Sequence, residues 1–314
     1  MKLSQIGEFG LIEQLNHQFS TIVGIGDDCA VVEILNLPCH ASRQAGRQAG
    51  SKHQILNKSK SIKSKYQLIT TDALVEGVHF DLKKCSFYDV GYKAMLVNIS
   101  DIAAMGGYPA YAVVSIALPQ KIKVEDAKEI YRGMDRLARK HKIDIVGGDT
   151  VSSKRDLFIS ITLIGEVEKD CLVKRSGAKV GDKIYVTGHF GRMAPVRLKE
   201  GRDIAKAKLA SSMIDSSDGL VLSVREIARQ SKVGARIYMD KVPVAAGATL
   251  DQALYGGEDY ELVFTSRKKL SKKYKMVGEI VKAPKEGGKP IFRLLLVDNK
   301  GREIKPKGGY EHFT

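Results

Sequence analysis

Residues 89–105, DVGYKAMLVNISDIAAM, decide how the chain is read. Apolar side chains fill most positions from Ala94 to Met105, which predicts a helix sunk into the protein. Asp89 is the expected N-cap, and Gly106-Gly107 with Pro109 beyond provides the stop. Asp101 interrupts the apolar run, and Asn98 lies one turn earlier on the same face. An ionised carboxylate in such surroundings is costly unless something cationic meets it.

On the N-terminal side, Ile6, Phe9, Ile12, Leu15 and Phe19 recur at helical spacing and predict an opening amphipathic helix. A strand at 21–23, a turn through Gly24-Ile25-Gly26-Asp27-Asp28 and a strand from Ala30 to Ile34 follow. Residues 38–66 are rich in Ser, Gln, Gly and Lys, with Arg-Gln-Ala-Gly twice, and are expected to be a disordered insertion between two strands. Gln67 to Thr71 is the next strand. On the C-terminal side, strands are expected at Tyr111–Leu118, Asp144–Val146 (running into Gly147-Gly148-Asp149-Thr150), Leu157–Val167, Lys183–Thr187 and Leu262–Thr265. Helices are expected at Val124–His141 and from Ser217-Asp218-Gly219 to about Gln230. Strands and helices mix without a strict βαβ period, so the expected class is α+β (mixed α/β). At 314 residues the chain should form two domains, 1–143 and 144–314.

Composition narrows the function. Hydrophobic residues at 43% and charged residues at 28% exclude wholesale disorder. No run approaches the ~20 apolar residues of a membrane span, and the first residues do not read as a signal peptide. Cys29, Cys39, Cys85 and Cys171 show neither metal spacing nor a disulfide framework, which points to reduced thiols in the cytoplasm. The net charge of +15 concentrates in two segments, the acid-free stretch from Arg43 to Lys65 and the run from Arg267 to Lys275. That distribution describes a solvated insertion and a solvated face more than a polyanion-binding surface, so nucleic acid is not an expected partner.

Several acids share a local grammar of a short apolar run, then Gly, Ser or Thr, then Asp. Asp27 and Asp28 follow Gly24-Ile25-Gly26, Asp72 follows Thr70-Thr71, Asp149 follows Gly147-Gly148, and Asp215 and Asp218 bracket Ser216-Ser217. Each alone is a common turn or cap; Asp218 could cap the helix after it. Together with Asp101 they suggest carboxylates gathered around several magnesium ions that bridge polyphosphate, with the glycines admitting backbone N–H groups to phosphate. A P-loop, the protein-kinase motif set, a full dinucleotide fingerprint and a zinc-binding histidine pair are all absent from the sequence.

In order along the chain, these motifs resemble the thiamine-monophosphate kinase family, within the superfamily of aminoimidazole ribonucleotide synthetase. The matching stretches are Gly24–Ala30, Thr70-Thr71-Asp72-Ala73-Leu74-Val75-Glu76-Gly77-Val78-His79-Phe80, Gly91–Ala94 through Asn98–Gly106, and Gly147–Thr150. Arg175–Lys179, Ile214–Leu220 and Gly256-Gly257-Glu258-Asp259-Tyr260-Glu261-Leu262 complete them. The resemblance implies ATP-dependent phosphorylation of thiamine monophosphate to thiamine diphosphate, with Mg2+. It implies a homodimer whose N-terminal sheets pair into a barrel, and a C-terminal α+β domain. Carried over by position, metal ligands fall on Asp28, Thr70, Thr71, Asp72, Asp101, Asp149, Asp215 and Asp218. ATP contacts fall on Tyr131, Gly148, Asp149, Arg175 and Ser217, and thiamine phosphate contacts on His79, Glu258 and Tyr310.

The chain departs from the family pattern in the insertion at 38–66 and in a short stretch between Gly188 and Ile214. Two alternatives stand beside the kinase reading: another ATP-dependent member of the superfamily, and a silent basic nucleic-acid-binding relative. The C-terminal Gly309-Tyr310-Glu311-His312-Phe313-Thr314 lacks the cysteine that hydrogenase maturation would want.

Overall fold

The computed structural model describes residues 27–33, 65–286, 289–290 and 293–307. The expected opening helix, the strand at 21–23, insertion residues 38–64 and Tyr310 lie outside the described residues.

The first layer is a five-stranded sheet of β1 (Ala30–Glu33), β2 (Lys65–Val75), β3 (Tyr108–Pro119), β4 (Asp144–Ser153) and β5 (Phe158–Glu168), in the order β1-β2-β5-β3-β4. β3 and β4 run parallel, joined through a helix; the other pairs are antiparallel. Alternation sorts the faces. Leu68, Leu74, Ala112, Val114, Ile116, Ile159, Ile161 and Leu163 are buried in the core, whereas Tyr111 and Val113 on the other face are exposed. The buried face packs on α1 (Phe87–Ala104), itself backed by α2 (Val124–His141).

α1 is buried along most of its length, as its composition required, and it is the hinge-pin of the molecule. It touches β2 and β5 on one side and, on the other, α3 (Leu198–Lys206) and β7 (Ser212–Asp215) of the second unit. That unit adds β6 (Lys183–Val186), α4 (Leu220–Ser231), β8 (Gly234–Tyr238), α5 (Leu250–Tyr255), β9 (Leu262–Ser266) and β10 (Lys275–Val281). A short hairpin of β11 (Lys285–Glu286) and β12 (Lys289–Pro290), then β13 (Leu294–Val297) and β14 (Glu303–Ile304), complete it. Seven of these strands form a mixed sheet in the order β14-β13-β8-β10-β6-β9-β7. The α+β class is therefore the observed one.

Three expectations shift. The boundary expected at 143/144 falls ahead of β4 and β5, which pair with β3 and β2, so the first sheet runs on to Glu168. Asp89 is not the N-cap of α1: Ser86 is, and Asp89 is the third helical residue, closing a reciprocal capping box with it. Gly147-Gly148-Asp149-Thr150 is not a turn after a short strand but lies within β4, where exposure on both faces erases the period-2 signal.

The α1–α2 contact is close enough that only glycine fits. A Cβ on Gly91 would lie 1.8 Å from the Ile130 carbonyl oxygen, and one on Gly133 would lie 2.0 Å from that of Tyr88. Gly133→Ala should force the helices apart and cost about 1–3 kcal/mol of stability. A thermal unfolding midpoint equal to that of the wild type would show that the two helices can separate freely.

Candidate active site

A cleft of 1020 Å³ opens between the first sheet, α1 and the second unit. It gathers Asp27, Asp28, Thr70, Thr71, Asp72, His79, Asp101, Arg175, Asp215, Ser217, Asp218 and Glu258 from segments scattered over the chain. Asp28 comes from the turn before β1, Thr70 to Asp72 from β2, Asp101 from the last turn of α1, and Asp215 from the end of β7. Ser217 and Asp218 lie in the turn leading into α4, whose N-cap is Gly219 at φ 93°, a left-handed backbone that a side chain would strain. Asp218 therefore does not cap this helix and is left at the cleft.

Carboxylate oxygens of Asp28, Asp101 and Asp215 lie within 4.8 Å of one another, and Asp28 and Asp215 are buried. Hydroxyls and amides hold this group in place. Thr70 Oγ1 donates to Asp101 Oδ2, and Ser100 Oγ donates to Asp215 Oδ2 at 2.6 Å. The fully buried Asn98 accepts the Asp72 backbone N–H on Oδ1 at 3.2 Å and anchors its own amide on the Ala94 carbonyl at 3.0 Å. Arg175 donates from Nε and Nη2 to Asp28 Oδ1, at 3.2 and 2.7 Å, while its backbone N–H donates to Asp27. Asp28 Oδ2 is buried with no hydrogen-bond partner.

Burial and mutual repulsion dominate the electrostatics. Desolvation, with the charges of Asp218 and Asp28, pushes Asp72 up to about 6. Burial first, then neighbouring aspartates, pushes Asp101 and Asp215 well above the usual carboxylate range. Carboxylates this close cannot all ionise without added positive charge. The donor set is all oxygen, partly orphaned and rigidly held, which fits a hard divalent cation better than a structural ion pair. Arg175 offsets only part of the negative charge and leaves the cleft open.

His79 lines the same cleft, its Nδ1 accepting the Val75 N–H at 3.1 Å, which puts the proton of the neutral ring on Nε2. Glu258 stands at φ 56° in the turn 256–261, its N–H bonded to the Ser217 carbonyl at 2.5 Å.

Three expected residues do not join this group. Asp149 and Gly148 sit on the exposed edge strand β4 and Tyr131 on the outer part of α2, and none of them lines the cleft. Pairing places Asp149 in one row with Ser115, Ser160 and Ala73, three strands or about 14 Å from β2, on the face opposite Asp72. Conversely, Glu226 and Arg229, paired at 2.8 Å on α4, line the cleft and were not singled out. Their i,i+3 spacing is too common to mark a site.

Comparison with known proteins places the fold in a family. The N-terminal domain of AIR synthase related protein matches residues 26–167, and its C-terminal domain matches residues 191–279. The thiamine-monophosphate kinase of Bacillus subtilis (strain 168) is 32% identical, covering 98% of this chain and 99% of its own. The chain belongs to the thiamine-monophosphate kinase family. The Aquifex aeolicus (strain VF5) member is also 32% identical, over 100% of both chains. A solved structure described as AaThiL complexed with AMPPCP and TMP is 29% identical, with a TM-score of 0.76 over 99% of both chains. The family kinship covers both units and the cleft between them.

The raised carboxylates make a definite forecast for cation binding. A divalent ion must displace protons from Asp72, Asp101 and Asp215, so its affinity should fall as pH drops through about 6, where Asp72 protonates. Calorimetry with magnesium or manganese in two buffers of different ionisation enthalpy should detect proton release at pH 7. The rise in melting temperature on adding the ion should be larger at pH 7.5 than at pH 5.5. Binding that releases no protons and ignores pH would reject this cluster as the cation site.

Proposed function

We propose that this chain phosphorylates thiamine monophosphate to thiamine diphosphate with ATP, by direct in-line transfer in the acidic cleft. The observation that carries the reading is the convergence of Asp28, Asp101 and Asp215, oxygens within 4.8 Å, in an open cleft that His79 and Glu258 also line.

The physical problem is charge. ATP and a phosphate monoester bring together roughly −6, given a second phosphate pKa near 6. The attacking phosphate oxygen is already anionic at neutral pH and needs little from a general base, so the demand is for alignment and neutralisation. Magnesium, when bound, would supply the positive charge that offsets the phosphate oxygens. Asp28, Asp101 and Asp215 would hold it, with Asp72 and Asp218 alongside and the Thr70 and Thr71 hydroxyls in reach of the same cleft. Thr70 and Ser100 keep the Asp101 and Asp215 carboxylates from rotating, and Asn98 pins the β2 backbone at Asp72. Arg175 and Ser217 would meet the nucleotide phosphates, His79 the acceptor phosphate, and Glu258 the cationic thiazolium.

Asp149, Gly148 and Tyr131 enter this scheme through a second copy. β4 is an exposed edge strand of ten residues with Val146 and Val151 uncovered, beside the exposed Tyr111 and Val113. An edge of this length and apolarity calls for a partner. A homodimer formed over this sheet would bring Asp149 of one copy toward the cleft of the other. The three free cysteines among the described residues suit a reducing cytoplasm, and none of the described helices is long and apolar enough to cross a membrane.

Coupled ADP release with thiamine monophosphate, ATP and magnesium tests the activity: turnover dependent on all three is expected, and none above background would remove the reading. Asp72→Asn and Asp215→Asn should each cut turnover by roughly 100-fold or more, the scale of losing a transition-state electrostatic contact. Co-expressed Asp72→Asn and Asp149→Asn chains should regain activity that each homodimer lacks, because one cleft of the mixed dimer carries neither substitution. A mixture no more active than its components, or a monomer in sedimentation, would reject the shared site.

A further inference from the structure

Lys93 is a charged residue in the middle of a buried helix that the reading above leaves without a task. Its side chain is 11% exposed. Its ammonium donates to Glu258 Oε1 at 2.5 Å and to the backbone carbonyl of His79 at 2.5 Å. These contacts join three distant segments: α1, the loop after β2, and the turn 256–261 of the second unit. Both partners are residues assigned to the acceptor.

We propose that Lys93 is a positioning residue for the acceptor subsite, fixing His79 and Glu258 relative to one another and committing one Glu258 oxygen so that the other faces the ligand. The inference rests on the kinase reading and deepens it. Three features support it. A buried ammonium is costly unless its donors are satisfied, so this one exerts a strong pull on both acceptors. Glu258 holds a left-handed backbone at φ 56°, unusual for a residue with a Cβ, and is tied at its N–H to Ser217. Its side chain is nonetheless 48% exposed, so the ion pair clamps a carboxylate that still opens onto the cleft.

The chemistry that follows is selectivity for a ligand carrying both an anion and a cation. With Lys93 on Oε1 the carboxylate is oriented, and the Oε2 left facing the cleft keeps the partial negative charge that a cationic ring would meet. A plain phosphate monoester without a positive ring gains nothing from it. Lys93 thus couples recognition of the ring at Glu258 to placement of the phosphate at His79.

The test is steady-state kinetics of the full-length enzyme with both substrates varied, for Lys93→Met, Lys93→Arg, Glu258→Gln and the Lys93→Met/Glu258→Gln pair. Lys93→Met should raise KM for thiamine monophosphate about ten- to hundredfold, the scale of a charge-assisted hydrogen bond, and leave KM for ATP within about threefold. Lys93→Arg, which keeps the charge but not the geometry, should recover part of the loss. In the pair, the second substitution should add little, because the two residues act as one device. Equal changes in both KM values, or additive losses, would reduce Lys93 to a strut between the two units and overturn the proposal. Should Lys93→Met not fold, Lys93→Arg and Glu258→Gln carry the same comparison. Should the wild type bind thiamine monophosphate in calorimetry without turning it over, the kinase reading fails, and the inference stands or falls on whether Lys93→Arg and Glu258→Gln weaken that binding. A wild type that neither binds nor turns over the compound overturns both.

Discussion

Buried carboxylates that approach within 4.8 Å of one another set the terms for everything else in this molecule. Burial raises the energy of each ionised group, and proximity raises it again. Such a cluster persists only where the rest of the fold over-determines it. Here α1 does so by being apolar enough to serve as core for two units at once. One face packs the first sheet, another meets α3 and β7, and the polar residues Lys93, Asn98, Ser100 and Asp101 are aimed at the seam. Asp101 and Asn98 serve the first sheet's Thr70 and Asp72, Ser100 serves Asp215, and Lys93 reaches Glu258. The polar positions of one helix therefore fix the relation between two domains.

That arrangement explains why the convergent acids of the candidate site are legible in the sequence. Carboxylates that reach the seam from a strand end or a tight turn leave short-range marks, Asp-Ser-Ser-Asp at the end of β7 and Gly-Asp-Asp before β1, whereas Asp72 lies inside β2, which runs past the expected end at Thr71 to Val75. Asp101 was legible for the opposite reason, as a charge where the pattern demanded none. The same signal was present at Lys93, four residues after Asp89 in the same apolar helix, and went unused because a lysine stem readily reaches solvent. What could not be read was sidedness. Gly147-Gly148-Asp149 obeys the same local grammar, yet it belongs to an edge strand whose place is set by pairing with β3, and pairing is not written in a short motif. The domain boundary was missed on the same ground, since β4 and β5 belong to the first sheet through hydrogen bonds to residues far away in sequence.

Asp259 shows how the second unit tolerates a further misfit beside the cleft. It is fully buried, accepts the Gly191 N–H at 2.5 Å, and leaves Oδ2 without a partner. Desolvation first, and the charge of Glu261 besides, push it up to about 7. A group whose folded pKa is raised binds a proton more readily folded than unfolded, so stability declines as pH rises from the ordinary carboxylate range through 7. The compensation is geometric: Asp259 ties the 188–194 loop to the turn that presents Glu258, and Glu261 beside it is held by Arg197 at 2.6 Å. The Glu258 conformation is thus supported from below by one network and from the side by Lys93.

Arg175 closes the electrostatic argument. It has no neutral state to retreat to, and burial would forbid it were it not facing aspartates; Asp28 is the nearest, with Asp215 and Asp101 behind it. Its guanidinium donates to Asp28 Oδ1 from both Nε and Nη2, and Asp28 Oδ2 is buried without a hydrogen-bond partner. The incomplete partner is the carboxylate, and a buried oxygen with unused acceptor capacity is what a cation site needs. In the proposed reaction a divalent cation held at Asp28 would offset that carboxylate's charge, and Arg175 would be placed to donate to a phosphate oxygen. Positive charge in the cleft would then rise in step with negative charge, so neither substrate would be bound against an uncompensated field.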